Sequence, residues 1–145
     1  MRIATIGFTQ SSAESFFRRI REAGLPLLVD VRVHNRSQLA GFAKRDDLAY
    51  FLRELCGVDY SEELLLAPEE SAVAAYRGKR IDWEQFAAPY AALLDERDAI
   101  AQIDRAHYEH GAVLLCSEPS GERCHRRLAA EYLAGHWPGV TIEHL

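Results

Sequence analysis

Apolar residues recur in two rhythms along this chain. Short runs suited to β-strands occur at Arg2–Gly7, residues 27–31, Ala112–Cys116 and residues 139–144, with a shorter one at residues 58–60. The stretches between them repeat every three or four residues. Phe16, Phe17 and Ile20 form one apolar stripe, and Leu48, Phe51, Leu52 and Leu55 a second within residues 46–56. Trp83, Phe86, Ala87, Tyr90, Leu93 and Leu94 form a third, with Pro89 as a point of kinking or division. Ile100, Ile103, Ala106 and His107 predict a helix over residues 99–109, and Leu128, Ala129, Tyr132 and Leu133 another over 124–134. Ser11 or Ser12 can cap the first helix, and Gly24 and Gly57 stand where helices stop. Strands separated by helices predict a three-layer α/β fold, a mostly parallel central sheet with helices on both faces. Residues 62–79 carry no clear period.

With 145 residues, 48% of them hydrophobic and 27% charged, the chain suits one α/β domain spanning residues 1–145. Seventeen Lys and Arg against 22 Asp and Glu give a net charge of −5. That sign excludes nucleic-acid binding through overall charge, so any anion site must be local. No apolar run reaches the roughly 18 to 20 residues of a membrane-spanning helix, so no membrane partner is expected. The three cysteines, an odd number, and the lack of a signal-peptide pattern at the N-terminus predict a reducing, cytoplasmic setting.

In open parallel sheets ligands bind beyond the carboxyl ends of the strands. Polar residues concentrate at those ends: Gly7 and Thr9 after the first strand, Asp30 and Arg32 at the second, Tyr60 at the third. Cys116 and Glu118 end the fourth, with Cys124, His125 and Arg126 opening the next helix. Asp30 ends an apolar run, where a carboxylate must be paired, and Arg32 is the expected partner, either in a structural ion pair or in a site. Arg36 and Ser37 extend that loop and can hold phosphate or stay solvated. The basic clusters Lys44-Arg45 and Arg77–Arg80 read as solvated faces sooner than as nucleic-acid patches, since no aromatic platform is legible beside them. His34, His107, His110 and His136 read as loop or surface residues, and Trp83 and Trp137 as packing residues.

Residues 116–126 form a strand, a loop and a helix start, an arrangement that favours anions. Four chemistries could use it. A cysteine phosphatase or sulfurtransferase loop needs arginine six residues after the cysteine, where Glu122 stands, with Arg123 one place late. A zinc site from Cys116, Cys124 and His125 lacks paired Cys-x2-Cys spacing. A Cys116–Cys124 disulfide fits the loop but not a reducing compartment, and both cysteines could equally be small buried hydrophobes. The fourth, acid/base work by Asp30, Glu118 and His125 with arginines as anion clamps, uses the most residues. The expectation is therefore neither metal nor cofactor.

The combination of Asp30-Val-Arg32 with Cys116-x-Glu118 and Cys124-His-Arg126 resembles the family catalogued as domain of unknown function 488. Thr5-Ile-Gly7, Ser37, Phe42, Gly57-Val-Asp-Tyr60, Val140 and His144 extend the likeness along the chain. The resemblance implies a single α/β domain with these motifs gathered at one site. Phe8-Thr9 stands where the family pattern suggests His-Ser, and Asn35 where it suggests proline, and no glycine pair follows the Tyr60 region. The first change removes a potential proton carrier. The leading functional expectation is a hydrolase or transferase acting on a phosphate-bearing substrate, a nucleotide or nucleic acid. Non-catalytic binding of nucleic acid or nucleotide and a protein-interaction domain are the alternatives.

Overall fold

The computed structural model describes residues 1–35, 41–116 and 124–145. Its centre is a five-stranded sheet built from β1 (Arg2–Gly7), β2 (Leu27–Asp30), β3 (Asp59–Glu62), β4 (Ala112–Cys116) and β5 (Thr141–His144). The strand order is β3-β2-β4-β1-β5, and every pairing is parallel. Alternation along each central strand divides the apolar residues between two cores. Ile3, Leu27, Val29 and Leu114 face one layer, while Ala4, Ile6, Leu28, Val113 and Leu115 face the other. This is the expected three-layer α/β architecture.

Helix α1 (Ala13–Ala23) starts at Ser12, whose hydroxyl accepts from the Ser15 amide at 3.1 Å, and ends at Gly24 in the left-handed conformation. It buries Phe16, Phe17 and Ile20 on the second core. The single helix expected over residues 46–56 is α2 (Arg45–Phe51) running into a π-helical turn at Leu52–Cys56. On the other face lie α3 (Glu70–Arg77), α4 (Trp83–Glu96), α5 (Ala99–Gln102) and α6 (His125–His136). Pro89 does not divide α4, which runs unbroken from a capping box made by Asp82 and Gln85. The helix expected over 99–109 is instead the short α5 and a separate 3-10 turn at Arg105–Tyr108. Asp104 separates them, its side chain accepting from the Ala106 amide at 3.0 Å. Among the described residues no helix is long and apolar enough to cross a membrane.

These layers dictate where the chain parts. After β1 and β2 it crosses to α1 and α2 on one face, and after β4 to α6 on the other. The ends of β2 and β4 are adjacent, so their outgoing segments diverge and leave a crevice between them.

Gly111, just before β4, has φ +91°, and a Cβ there would stand 2.6 Å from Leu25 Cδ2 and 2.8 Å from the Arg2 carbonyl oxygen. Gly111→Ala is expected to destabilise the protein by about 1–3 kcal/mol, the range for a strained backbone position. Urea denaturation of the two proteins checks this.

Candidate functional site at the strand ends

The end of β2 holds a closed polar network. Asp30 and Arg32 are almost fully buried, joined by Arg32 Nε to Asp30 Oδ1 and Nη2 to Oδ2, each at 2.8 Å. The Arg32 amide adds a third donor to Oδ1 at 3.1 Å, and the Tyr60 hydroxyl from β3 donates to Oδ2 at 2.5 Å. Burial and the neighbouring Asp30 push the Tyr60 phenol above its ordinary range, so it remains a donor. The Arg32 guanidinium also lies over the Phe8 ring, 5.3 Å from its centroid. Phe8, at the place where the family pattern suggests histidine, thus backs the cation with an apolar face. Arg32 Nη1 is buried and has no hydrogen-bond partner among the described residues.

Asn35 ties the loop after β2 to β3. Its side chain donates to Glu62 at 3.1 Å, and its carbonyl accepts from the Arg45 amide at 2.6 Å. Arg45 in turn pairs with Glu62 at 2.9 Å.

Between the ends of β2 and β4 lies a narrow cleft that encloses about 40 Å³ and opens to solvent. Arg32, Val33 and His34 form one side, and Cys116, Cys124 and His125 another. Val73, Tyr76 and Arg77 of α3 with Trp83 and Phe86 of α4 complete the wall. The rings pack on one another: Trp83 and Phe86 are stacked at 5.7 Å, Tyr76 lies 5.3 Å from Phe86, and the Tyr76 and Trp83 planes are tilted by 59°. Phe86 leads to Tyr90, whose ring meets His125 edge-on at 5.8 Å.

His125 opens α6. Its Nε2 lies 2.8 Å from the Val31 carbonyl, which can only accept, so the proton sits on Nε2 and Nδ1 keeps its lone pair. Burial lowers its pKa to about 4, the Arg126 and Arg77 cations add to that, and the Val31 bond and Asp30 oppose it. The imidazole is therefore neutral at physiological pH. Cys116, at the end of β4, and Cys124, the N-cap of α6, are joined in a disulfide, contrary to the expectation that no such bond persists. They converge because the chain leaves β4 and returns to the same sheet edge at α6. Arg126 is buried behind them and donates from Nη1 to Cys116 Sγ at 3.2 Å.

Of the expected site residues, Arg32, Cys116, Cys124 and His125 line the cleft. Asp30, Tyr60 and Arg126 support it from behind, while Gly7 is paired in register with Cys116. Thr9 follows β1 and does not line the cleft. Arg36, Ser37 and Glu118 lie outside the described residues. Tyr76, Arg77, Trp83 and Phe86 were not anticipated: Trp83 is read from the sequence as packing alone and Arg77 as a solvated face. An arginine and a tryptophan flanking a short unassigned segment were the available signal.

Removing the Tyr60 hydroxyl deprives the buried carboxylate of one donor. Tyr60→Phe is expected to cost about 1.5–3 kcal/mol, the value of a hydrogen bond to a charged group. Equal denaturation midpoints for the two proteins would count against the network as drawn.

Neither the curated proteins nor the solved structures contain a match to this chain. A family model described as "Domain of unknown function DUF488" matches residues 12–133, a span that takes in both Asp30-Val-Arg32 and Cys124-His-Arg126. The chain belongs to that family.

Proposed function

We propose that the cleft holds a phosphate-bearing substrate, a nucleotide or nucleic acid, and that the protein is a hydrolase or transferase acting on it. The observation that carries this reading is the Nη1 of Arg32. Its nitrogen is buried, positively charged and unpartnered among the described residues, while the rest of the fork is spent on Asp30. A buried donor without an acceptor costs about 1–3 kcal/mol, and more when charged, so an anionic oxygen in the cleft relieves a standing penalty. The rings of Tyr76, Trp83 and Phe86 add aromatic faces against which a nucleobase can pack.

Roles divide accordingly. Arg32 holds the anion, and Asp30 and Tyr60 position it. Both Asp30 oxygens are already occupied, by three donors from Arg32 and one from Tyr60, so Asp30 is a positioning residue rather than a base. The described residues lining the cleft include no carboxylate. Glu118, two residues beyond Cys116 in sequence, is then the general base.

Calorimetric titration of nucleotides and short oligonucleotides, with product analysis, tests both parts. Arg32→Lys keeps the charge but loses the fork, and is expected to weaken binding at least about tenfold, or 1.4 kcal/mol. Glu118→Gln should retain affinity and lose turnover. A ligand bound equally well by folded Arg32→Lys, or no ligand in the whole panel, overturns the anion site. Binding without turnover in the unaltered protein replaces the enzyme with a binding module.

A further inference from the structure

We propose that the reduced protein binds a zinc ion, or another thiophilic divalent cation, through Cys116 Sγ, Cys124 Sγ and His125 Nδ1 on the wall of the cleft. One ligand atom from each of these residues lies within 4.8 Å of the others. Spacing in the sequence argues against this trio, because Cys124 and His125 are adjacent and Cys116 is remote. The fold reverses that objection: Cys124 caps α6, His125 is its first residue, and the end of β4 brings Cys116 against both.

Three further features fit a metal. The Nε2–H of His125 donates to the Val31 carbonyl, which fixes the ring and leaves Nδ1 as the donor atom. Histidines that ligate metals are ordinarily held in this way through their other nitrogen. The Cα atoms of Cys116 and Cys124 stand 7.5 Å apart, wider than the roughly 4.4–6.8 Å usual between half-cystines, so the backbone suits two separate sulfurs. Arg126 Nη1, 3.2 Å from Cys116 Sγ, compensates thiolate charge at the ligand. Two thiolates and an imidazole select a soft or borderline ion, and three protein ligands leave a fourth position open, as catalytic zinc sites do.

The balance is simple. The disulfide takes two electrons and two protons from a dithiol reductant, which becomes a disulfide. The two thiols then lose their protons as the cation binds, with no change in its oxidation state. The bonded form shown here is the oxidised state and offers no thiolate. A cation in this place would polarise a phosphoryl oxygen or activate water beside Arg32. That consequence rests on the phosphate reading above; metal binding itself does not.

Cobalt(II) titration of the reduced protein under anaerobic conditions tests the site, read as the thiolate-to-cobalt charge-transfer band and its displacement by zinc. One equivalent is expected in the reduced protein and none in the oxidised protein. Cys116→Ser and Cys124→Ser should each lose the band, and His125→Ala should weaken binding at least tenfold. Arg32→Lys should bind cobalt like the unaltered protein, so loss of phosphate binding there is separable from loss of metal. If the reduced protein is folded by circular dichroism and gives no band, or if the band survives in Cys124→Ser, the metal site is wrong. Should a cysteine variant fail to fold, the reduced and oxidised forms of the unaltered protein still decide.

Discussion

Burying an aspartate and an arginine together at the end of a central strand places a demand on everything around them. Each charge costs several kcal/mol to take out of water, and their attraction offsets this only if the geometry is good and the remaining polar atoms are satisfied. Here the carboxylate meets the demand in full, accepting from the guanidinium, the Arg32 amide and the Tyr60 hydroxyl. The register that sets β3 beside β2, Leu28 opposite Tyr60 and Asp30 opposite Glu62, is what delivers Tyr60. Phe8 at the end of β1 supplies the face under the cation. Strands from both sides of β2 and β4 thus converge on one ion pair, in which Arg32 Nη1, on a cleft residue, has no partner among the described residues.

Much of this was legible in the residues. A continuous apolar run such as Ala112–Cys116 has no solvent face to offer, so it belongs in the middle of a covered sheet, and it lies there between β2 and β1. Asp30 at the end of such a run had to be paired, and Arg32 was within reach. The wall of the cleft was harder to read. It is assembled from α3, which follows an aperiodic segment, and from the first turn of α4. Trp83 looks like core in a single helix because its apolar stripe is shared: Phe86, Tyr90 and Leu94 enter the core, while Trp83 is left at the rim. That division depends on how two helices meet, which no local period records.

The cysteines illustrate a different limit. Sequence separation measures contour length, and eight residues of loop say nothing about whether the chain doubles back. Parallel α/β folding makes it double back as a rule, since the residue ending a strand and the residue capping the next helix share one sheet edge. Spacing rules read along the sequence do not register side chains brought together in this way.

The substitution at Phe8 bears on how the cleft can work. With a phenyl ring under Arg32, the guanidinium is held by a group that neither donates nor accepts protons, and the cation's charge is not shared with a second titrating ring. Two imidazoles line the cleft among the described residues: His34, whose Nε2 lies 3.3 Å from Glu70, and His125, whose proton is committed to the Val31 carbonyl. A neutral imidazole fixed in one tautomer is a poor proton shuttle at neutral pH and a good ligand. The hydrogen bond that commits the Nε2 proton leaves Nδ1 with its lone pair, and that nitrogen is the atom on which the proposed cation site depends.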